Sequence, residues 1–265
     1  MATAPLNVYR QLVERFFFDR YTAGLTEIPW ERSDLEKAAG ELGVPLPKNL
    51  GDVVYSIRYR TAMPPRILET QPDGKEWIIS GMGRARYAFR LVPINRIRPR
   101  EEMVAIKIPD ATPEIIAAYA ISDEQALLAK VRYNRLIDLF LEMVTYSLQN
   151  HLRTTVKGVG QIEIDEIYVG VDKRGRQFIV PVQAKGGNDQ LSTVQTEQDL
   201  QCCAEKYPTL IPRAVSAQFI EDDLIALFEL TVEAGSVRVV DERHYRLVPS
   251  DRITADDLRM YGLRT

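Results

Sequence analysis

Apolar residues recur along this chain with two different periods, and the changes of period divide it into elements. Over residues 5–21, Leu12, Phe16 and other large apolar side chains fall at turn spacing, which predicts a helix. A shorter helix is predicted over 33–42, with Ser33 as N-cap, Glu36 completing a capping box and Gly43 ending it. A third is expected over 47–61. Residues 77–92 then read as two strands around a turn at Gly81 and Gly83. Residues 93–113 are proline-rich and read as a linker. A long helix follows over 123–149, with Ser122 as its cap. It is apolar nearly all round between Leu136 and Leu148, as a core element would be.

The second half of the chain is dominated by strand-like runs. Gln161-Ile-Glu-Ile-Asp-Glu-Ile-Tyr-Val-Gly170 and Phe178-Ile-Val-Pro-Val-Gln-Ala-Lys185 flank the turn-forming segment Asp172-Lys-Arg-Gly-Arg176, so they predict a hairpin. A helix is expected over 191–206, strands over 214–220, 224–232 and 237–248, and a terminal helix from Thr254. Strands and helices so mixed predict an α/β (α+β) fold built on a mixed sheet.

The chemistry lies in that hairpin. Alternation puts Glu163 and Asp165 on one face of the first strand, and Gln183 and Lys185 on one face of the second. If the two faces coincide, a carboxylate, an amide oxygen and an ammonium converge. Oxygen ligands suit magnesium, which needs only one or two carboxylates because it keeps several waters. A lysine beside them can orient water or offset charge developing on a phosphate. The second strand is apolar almost throughout, so a glutamine and a lysine at its end need an explanation.

The arrangement resembles the PD-(D/E)xK nuclease superfamily, over residues 123–240. Asp165 matches the first acid, Gln183 the (D/E) position and Lys185 the lysine; Ile164 stands where the motif has proline, and Gln183 is an amide where most members have an acid. The resemblance implies a restriction-endonuclease-like core, Mg2+ as cofactor, Asp165 and Gln183 as metal ligands with the Ala184 carbonyl, and Lys185 as the catalytic cation. Members often add a carboxylate from a helix before the first strand. Glu142 fits that role first and Asp138 second, the competing reading being that either acid pairs with Arg135 or Arg153. Gln195 and Gln198, on the helix after the lysine, resemble glutamines that some members place near the site.

Charge separates the two halves. The chain carries −3 overall, but residues 1–100 hold 16 Lys and Arg against 11 Asp and Glu. A basic module joined to an acidic body is the implication. Three helices followed by a hairpin resemble a winged helix-turn-helix. Its third helix would carry Arg58 and Arg60 with Tyr55 and Tyr59, and its hairpin Arg84, Arg86 and Arg90. Arginine suits both guanine edges and phosphates. The expected organisation is a winged-helix DNA-binding domain at 1–95, a linker at 96–122 and a nuclease domain at 123–265.

Other chemistry is excluded or unsupported. The two cysteines, Cys202 and Cys203, are adjacent, which argues against a disulfide framework and, without a Cys/His cluster, against structural zinc. The two histidines, His151 and His244, belong to no nucleophile motif, and no phosphate-binding glycine loop is present. His151 could approach the hairpin site or cap the preceding helix. No apolar run reaches membrane-spanning length and no signal-peptide pattern opens the chain, so a cytoplasmic protein is expected. The reading that results is a magnesium-dependent type II restriction endonuclease, a homodimer acting on double-stranded DNA beside a companion DNA methyltransferase. A structure-directed repair or recombination nuclease, and a non-catalytic DNA-binding regulator with a decayed nuclease half, are the alternatives.

Overall fold

The chain divides into two units, each with hydrophobic packing of its own. The computed structural model describes residues 8–46, 50, 54, 63–93, 97–119, 124–186, 193–233 and 236–262. One unit comprises residues 1–94 with 155–161, the other residues 95–154 with 162–265.

The first unit contains α1 (Val8–Phe18), β1 (Glu27–Glu31), α2 (Arg32–Leu42), the single turn α3 (Pro65–Leu68), β2 (Lys75–Gly81) and β3 (Arg86–Pro93). Its strands pair antiparallel in the order β1-β3-β2. Aromatic rings fill the core. Phe17 meets Trp77 and Phe89 edge-on, at centroid distances of 5.2 and 5.0 Å, the geometry ring quadrupoles favour. The α1 residues Leu12, Val13, Phe16 and Phe17 are all buried, as the helical spacing predicts.

β1 was not expected, because its Glu-Ile-Pro-Trp-Glu sequence contains a proline. Among the described residues it pairs only with β3, and an edge strand tolerates a missing N–H. Its Ile28 and Trp30 alternate into the core. Because β1 runs straight into α2, the helix cap falls on Glu31 with Asp34 completing the box, rather than on Ser33 and Glu36; Gly43 ends the helix at φ 65°, as expected. The helix predicted over 47–61, with Arg58, Arg60, Tyr55 and Tyr59, lies outside the described residues except for Leu50 and the buried Val54.

The second unit contains β4 (Ile106–Pro109), α4 (Glu114–Tyr119), α5 (Glu124–Tyr133), α6 (Leu136–Leu141), most of β5 (Val144–Val156) and of β6 (Gly160–Val171), whose adjoining ends belong to residues 155–161 of the first, β7 (Gln177–Lys185), α7 (Thr193–Lys206), β8 (Ile211–Pro212), β9 (Ala214–Glu221), β10 (Leu224–Glu233), β11 (Ser236–Val248) and α8 (Ala255–Gly262). Hydrogen bonding orders a mixed sheet as β4-β11-β10-β9-β7-β6-β5, with β8 also paired to β7. β6–β7 and β9–β10–β11 are antiparallel, whereas β7–β9 and β4–β11 are parallel.

Alternation assigns the two faces. Val180, Val182, Val215, Ala217, Ile225 and Leu227 pack with Leu127, Val131, Ile137 and Phe140 of α5 and α6. Ala214, Ala226 and Phe228 cluster on the other face, against Leu200 of α7. β7 is therefore buried along most of its length, which suits a parallel neighbour and an unbroken apolar run. Pro181 sits inside this strand at a place that can take it. β8 pairs with Phe178 and Ile179, β9 with Val182 onward, and no ladder pair falls to Pro181 on that side.

Two expectations are corrected here. The helix predicted over 123–149 is two short helices and the start of a strand. Arg135 and Glu142 both take left-handed backbone, at φ 51° and 53°, which ends each helix. The β-prone run Val144-Thr-Tyr-Ser then enters β5. The segment read as a linker over 96–122 is partly built into the second unit. Ile97 is buried in the Phe228 cluster, Arg100 Nε donates to Glu242 Oε2 at 2.7 Å, and β4 pairs with β11.

Gly81 provides a test of packing in the first unit. A Cβ placed there would lie 1.7 Å from the Val159 carbonyl oxygen, a backbone atom that cannot step aside. Gly81→Ala should cost about 1–3 kcal/mol and lower the unit's melting temperature by roughly 5–15 °C. An unchanged melting curve would contradict this packing.

Candidate active site

The β6–β7 ladder runs from Val171↔Gln177 to Glu166↔Val182. Continuing the register sets Asp165 across from Gln183. There the Asp165 carboxylate takes over the pairing: Oδ2 accepts the Ala184 N–H at 2.9 Å. On the other side of β7, Gln183 faces Ser216 and Lys185 faces Gln218 in the parallel ladder with β9.

Three elements then deliver charge to this strand end. The Lys185 ammonium donates to Glu124 Oε1, on the first turn of α5, at 2.8 Å. Gln183 Nε2 donates to Asp199 Oδ2 of α7 at 2.8 Å. Glu163, two residues before Asp165, accepts from His151 Nδ1 at 3.2 Å and from Arg153 Nε at 3.1 Å. His151 holds a left-handed backbone, φ 48°.

Burial dominates the electrostatics. It raises the Asp165 carboxyl above the ordinary aspartate range, with the Ala184 N–H and the Lys185 ammonium acting against it and Glu124 and Glu163 adding to it. Asp199 is almost wholly enclosed, and burial pushes it up to about 8; the Gln183 hydrogen bond and Lys185 oppose this, while Asp165 reinforces it. Asp165 and Asp199 thus both feel the charge of Lys185, and Asp165 also that of Glu124. Gln183 Oε1, Asp199 Oδ1 and Ser216 Oγ are buried with no partner among the described residues.

The predicted residues divide accordingly. Asp165, Gln183 and Lys185 come together at one end of the sheet. Glu142 does not join them: it is the exposed C-cap of α6 and its charge acts on Tyr245 of β11. Asp138 accepts the Thr145 N–H at 2.8 Å and pairs with Arg135, the competing reading for that acid. The carboxylate from a preceding helix that does reach the lysine is Glu124. Gln198 is buried on α7, where Asp199 is the residue bonded to Gln183. Arg84 and Arg86 are exposed at the β2–β3 turn and form no salt bridge among the described residues, whereas Arg90 pairs with Glu27 at 2.8 Å.

Glu124 and Asp199 were missed from sequence. Asp199 had a signal: it shares a buried helical stripe with Thr196, Cys202 and Cys203 at i, i+3 and i+4 spacing. An acid on such a stripe needs a partner. Glu124 had none beyond its place in a first turn.

Among the described residues, no three His, Cys, Asp or Glu side chains are grouped to hold a metal ion. The oxygens offered to a hard cation at this strand end are instead mixed: the Asp165 carboxylate and the unpartnered Gln183 Oε1. That set fits magnesium, which completes its shell with water. No protein-family model, curated protein or solved structure matches the chain. Among the described residues, no helix is long and apolar enough to cross a membrane.

Asp199 gives the second unit a pH signature. Its carboxyl is raised from 3.8 to about 8, so the folded state holds the proton more tightly than the unfolded chain. The stability it contributes is full at low pH and drains away as pH rises across that window. In chelator, Asp199→Asn should flatten the fall of denaturation midpoint between about pH 4 and about pH 8 and leave the alkaline protein more stable than wild type. Parallel pH profiles for the two proteins would overturn this assignment.

Proposed function

We propose that this chain is a magnesium-dependent deoxyribonuclease that cuts double-stranded DNA, in the manner of a type II restriction endonuclease and as a homodimer. The observation that carries the reading is the meeting of Asp165, Gln183 and Lys185 where β6 and β7 part, with Glu124 supplied by a helix before the hairpin. A core like that of the PD-(D/E)xK nucleases agrees with a mixed sheet in which the β6–β7 hairpin bears these residues at its end.

Bound magnesium would acidify water and offset phosphate charge. Asp165 and Gln183, with the Ala184 carbonyl, are the residues that would hold it. Lys185 hydrogen-bonds the attacking water or the phosphate oxygens as charge builds on them. Glu124 aims that ammonium through its hydrogen bond at 2.8 Å. Residues 1–95 supply DNA binding as a winged helix. Their helices with a three-stranded β1-β3-β2 sheet, and the exposed Arg84 and Arg86 at its hairpin, support that role. Two protomers, one per strand, account most simply for double-strand cleavage.

Lys185→Ala and Asp165→Ala should each slow duplex cleavage by roughly hundreds-fold or more. Cleavage at the wild-type rate by the Lys185 variant would sink the assignment, and full activity in excess chelator would exclude a metal-dependent route. Absence of cleavage by the wild type on any duplex in magnesium, with DNA binding intact, would favour the non-catalytic regulator. Faster cutting of branched than of linear DNA would favour the repair nuclease.

DNA binding is tested separately. Arg84→Ala and Arg86→Ala should weaken binding to all sequences and lower the log–log salt slope by about 0.9 for each phosphate no longer neutralised. Arg58→Ala or Arg60→Ala should cost about 1–3 kcal/mol mainly at the cognate site, if either reads a guanine edge. Failure of the wild-type protein to show any salt-dependent affinity for random duplex would remove the DNA-binding role.

A further inference from the structure

Gln183 occupies a position where an acid would offer only oxygens, and an amide is two-sided. Its oxygen accepts and its nitrogen donates, so an amide free to rotate would turn its NH2 group toward a cation as readily as its oxygen. Something must set its orientation if it is to serve as a ligand.

The bond from Gln183 Nε2 to Asp199 Oδ2 does this. Both side chains are almost wholly buried, at 2% and 1% exposure, so water cannot compete for either. α7 carries Asp199 inward on the stripe that also buries Thr196, Cys202 and Cys203, and the helix packs against β7. With the nitrogen committed to α7, the oxygen is the amide atom left over. Gln183 Oε1 has no partner among the described residues, although buried acceptors in folded proteins are nearly always satisfied. A buried acceptor oxygen held in place without a donor is suited to a cation.

We propose that Asp199 is a positioning residue that locks the Gln183 amide with its nitrogen toward α7 and its oxygen presented, beside Asp165, to a hard divalent cation. The inference rests on the nuclease reading for the existence of that cation. The acid missing from the strand is, on this view, retained on the helix and acts through the amide.

The test uses Mn2+ as a paramagnetic probe on the full-length chain, titrated by electron spin resonance, with circular dichroism melts alongside. Asp199→Leu removes the acceptor and should weaken Mn2+ binding by about 10–100-fold, the usual cost of losing an outer partner of a metal ligand. Asp199→Asn keeps an acceptor oxygen and should stay within about threefold of wild type. Gln183→Glu alone removes the N–H that Asp199 Oδ2 accepts. The exchange Gln183→Glu with Asp199→Asn restores one donor and one acceptor, so the double variant should regain both the melting temperature and the Mn2+ affinity that the single variant loses. This rescue also decides the matter if the leucine variant does not fold.

Wild-type Mn2+ binding with Asp199→Leu unchanged, or single and double glutamate variants that bind alike, overturns the positioning role and leaves the nuclease reading standing. A wild-type chain that binds no Mn2+ overturns both.

Discussion

The Ala184 N–H bound to the Asp165 carboxylate is the interaction on which this end of the sheet depends. A backbone N–H inside a sheet must be paired, and normally a neighbouring strand's carbonyl does it. Here a side chain substitutes, so β6 and β7 can part without leaving the amide orphaned. Parting frees the next side chains for other partners. Gln183 reaches α7 and Lys185 reaches α5. One carboxylate therefore both closes the strand pair and anchors the charge cluster, which makes the local fold and the proposed chemistry inseparable at Asp165.

Much of this was legible in the sequence alone. The hairpin, its turn and the shared faces of Glu163 with Asp165 and of Gln183 with Lys185 follow from period-two alternation, and β6 and β7 form as that pattern requires. The long helix over 123–149 failed for an instructive reason. Asp138, Glu142 and Thr145 recur at i, i+4 and i+7, which looks like a polar stripe. In fact the chain reverses at Glu142, and Asp138 meets Thr145 because the turn folds β5 back to it. Helical spacing and a reversed chain can bring the same residues together, and sequence period does not distinguish them. Glu124 and Asp199 could not be read as partners of Lys185 and Gln183, since those pairings arise only when α5 and α7 dock on the sheet.

Charge shows the same division between pattern and placement. The basic excess of the first hundred residues is real, yet much of it is neutralised locally. Arg15 pairs with Glu41, Arg20 with Asp34, Arg66 with Glu14 and Arg90 with Glu27. Such exposed pairs add little stability. Among the described residues, Arg84 and Arg86 at the β2–β3 turn are two of the arginines that form no salt bridge. Net charge thus overstated the extent of the unpaired basic surface.

Pro181 has a consequence beyond tolerance of a ring in a buried strand. The gap between β8 and β9 is where β7 can carry a residue lacking an N–H. Sliding β7 by two residues would keep its inward and outward faces but drive the ring into a paired position and forfeit a ladder bond. Proline thus acts as a registration mark for the strand. Lys185 lies four residues further on, roughly 13 Å at strand rise. The reach of the ammonium beyond the sheet is therefore gauged from a fixed point in its interior.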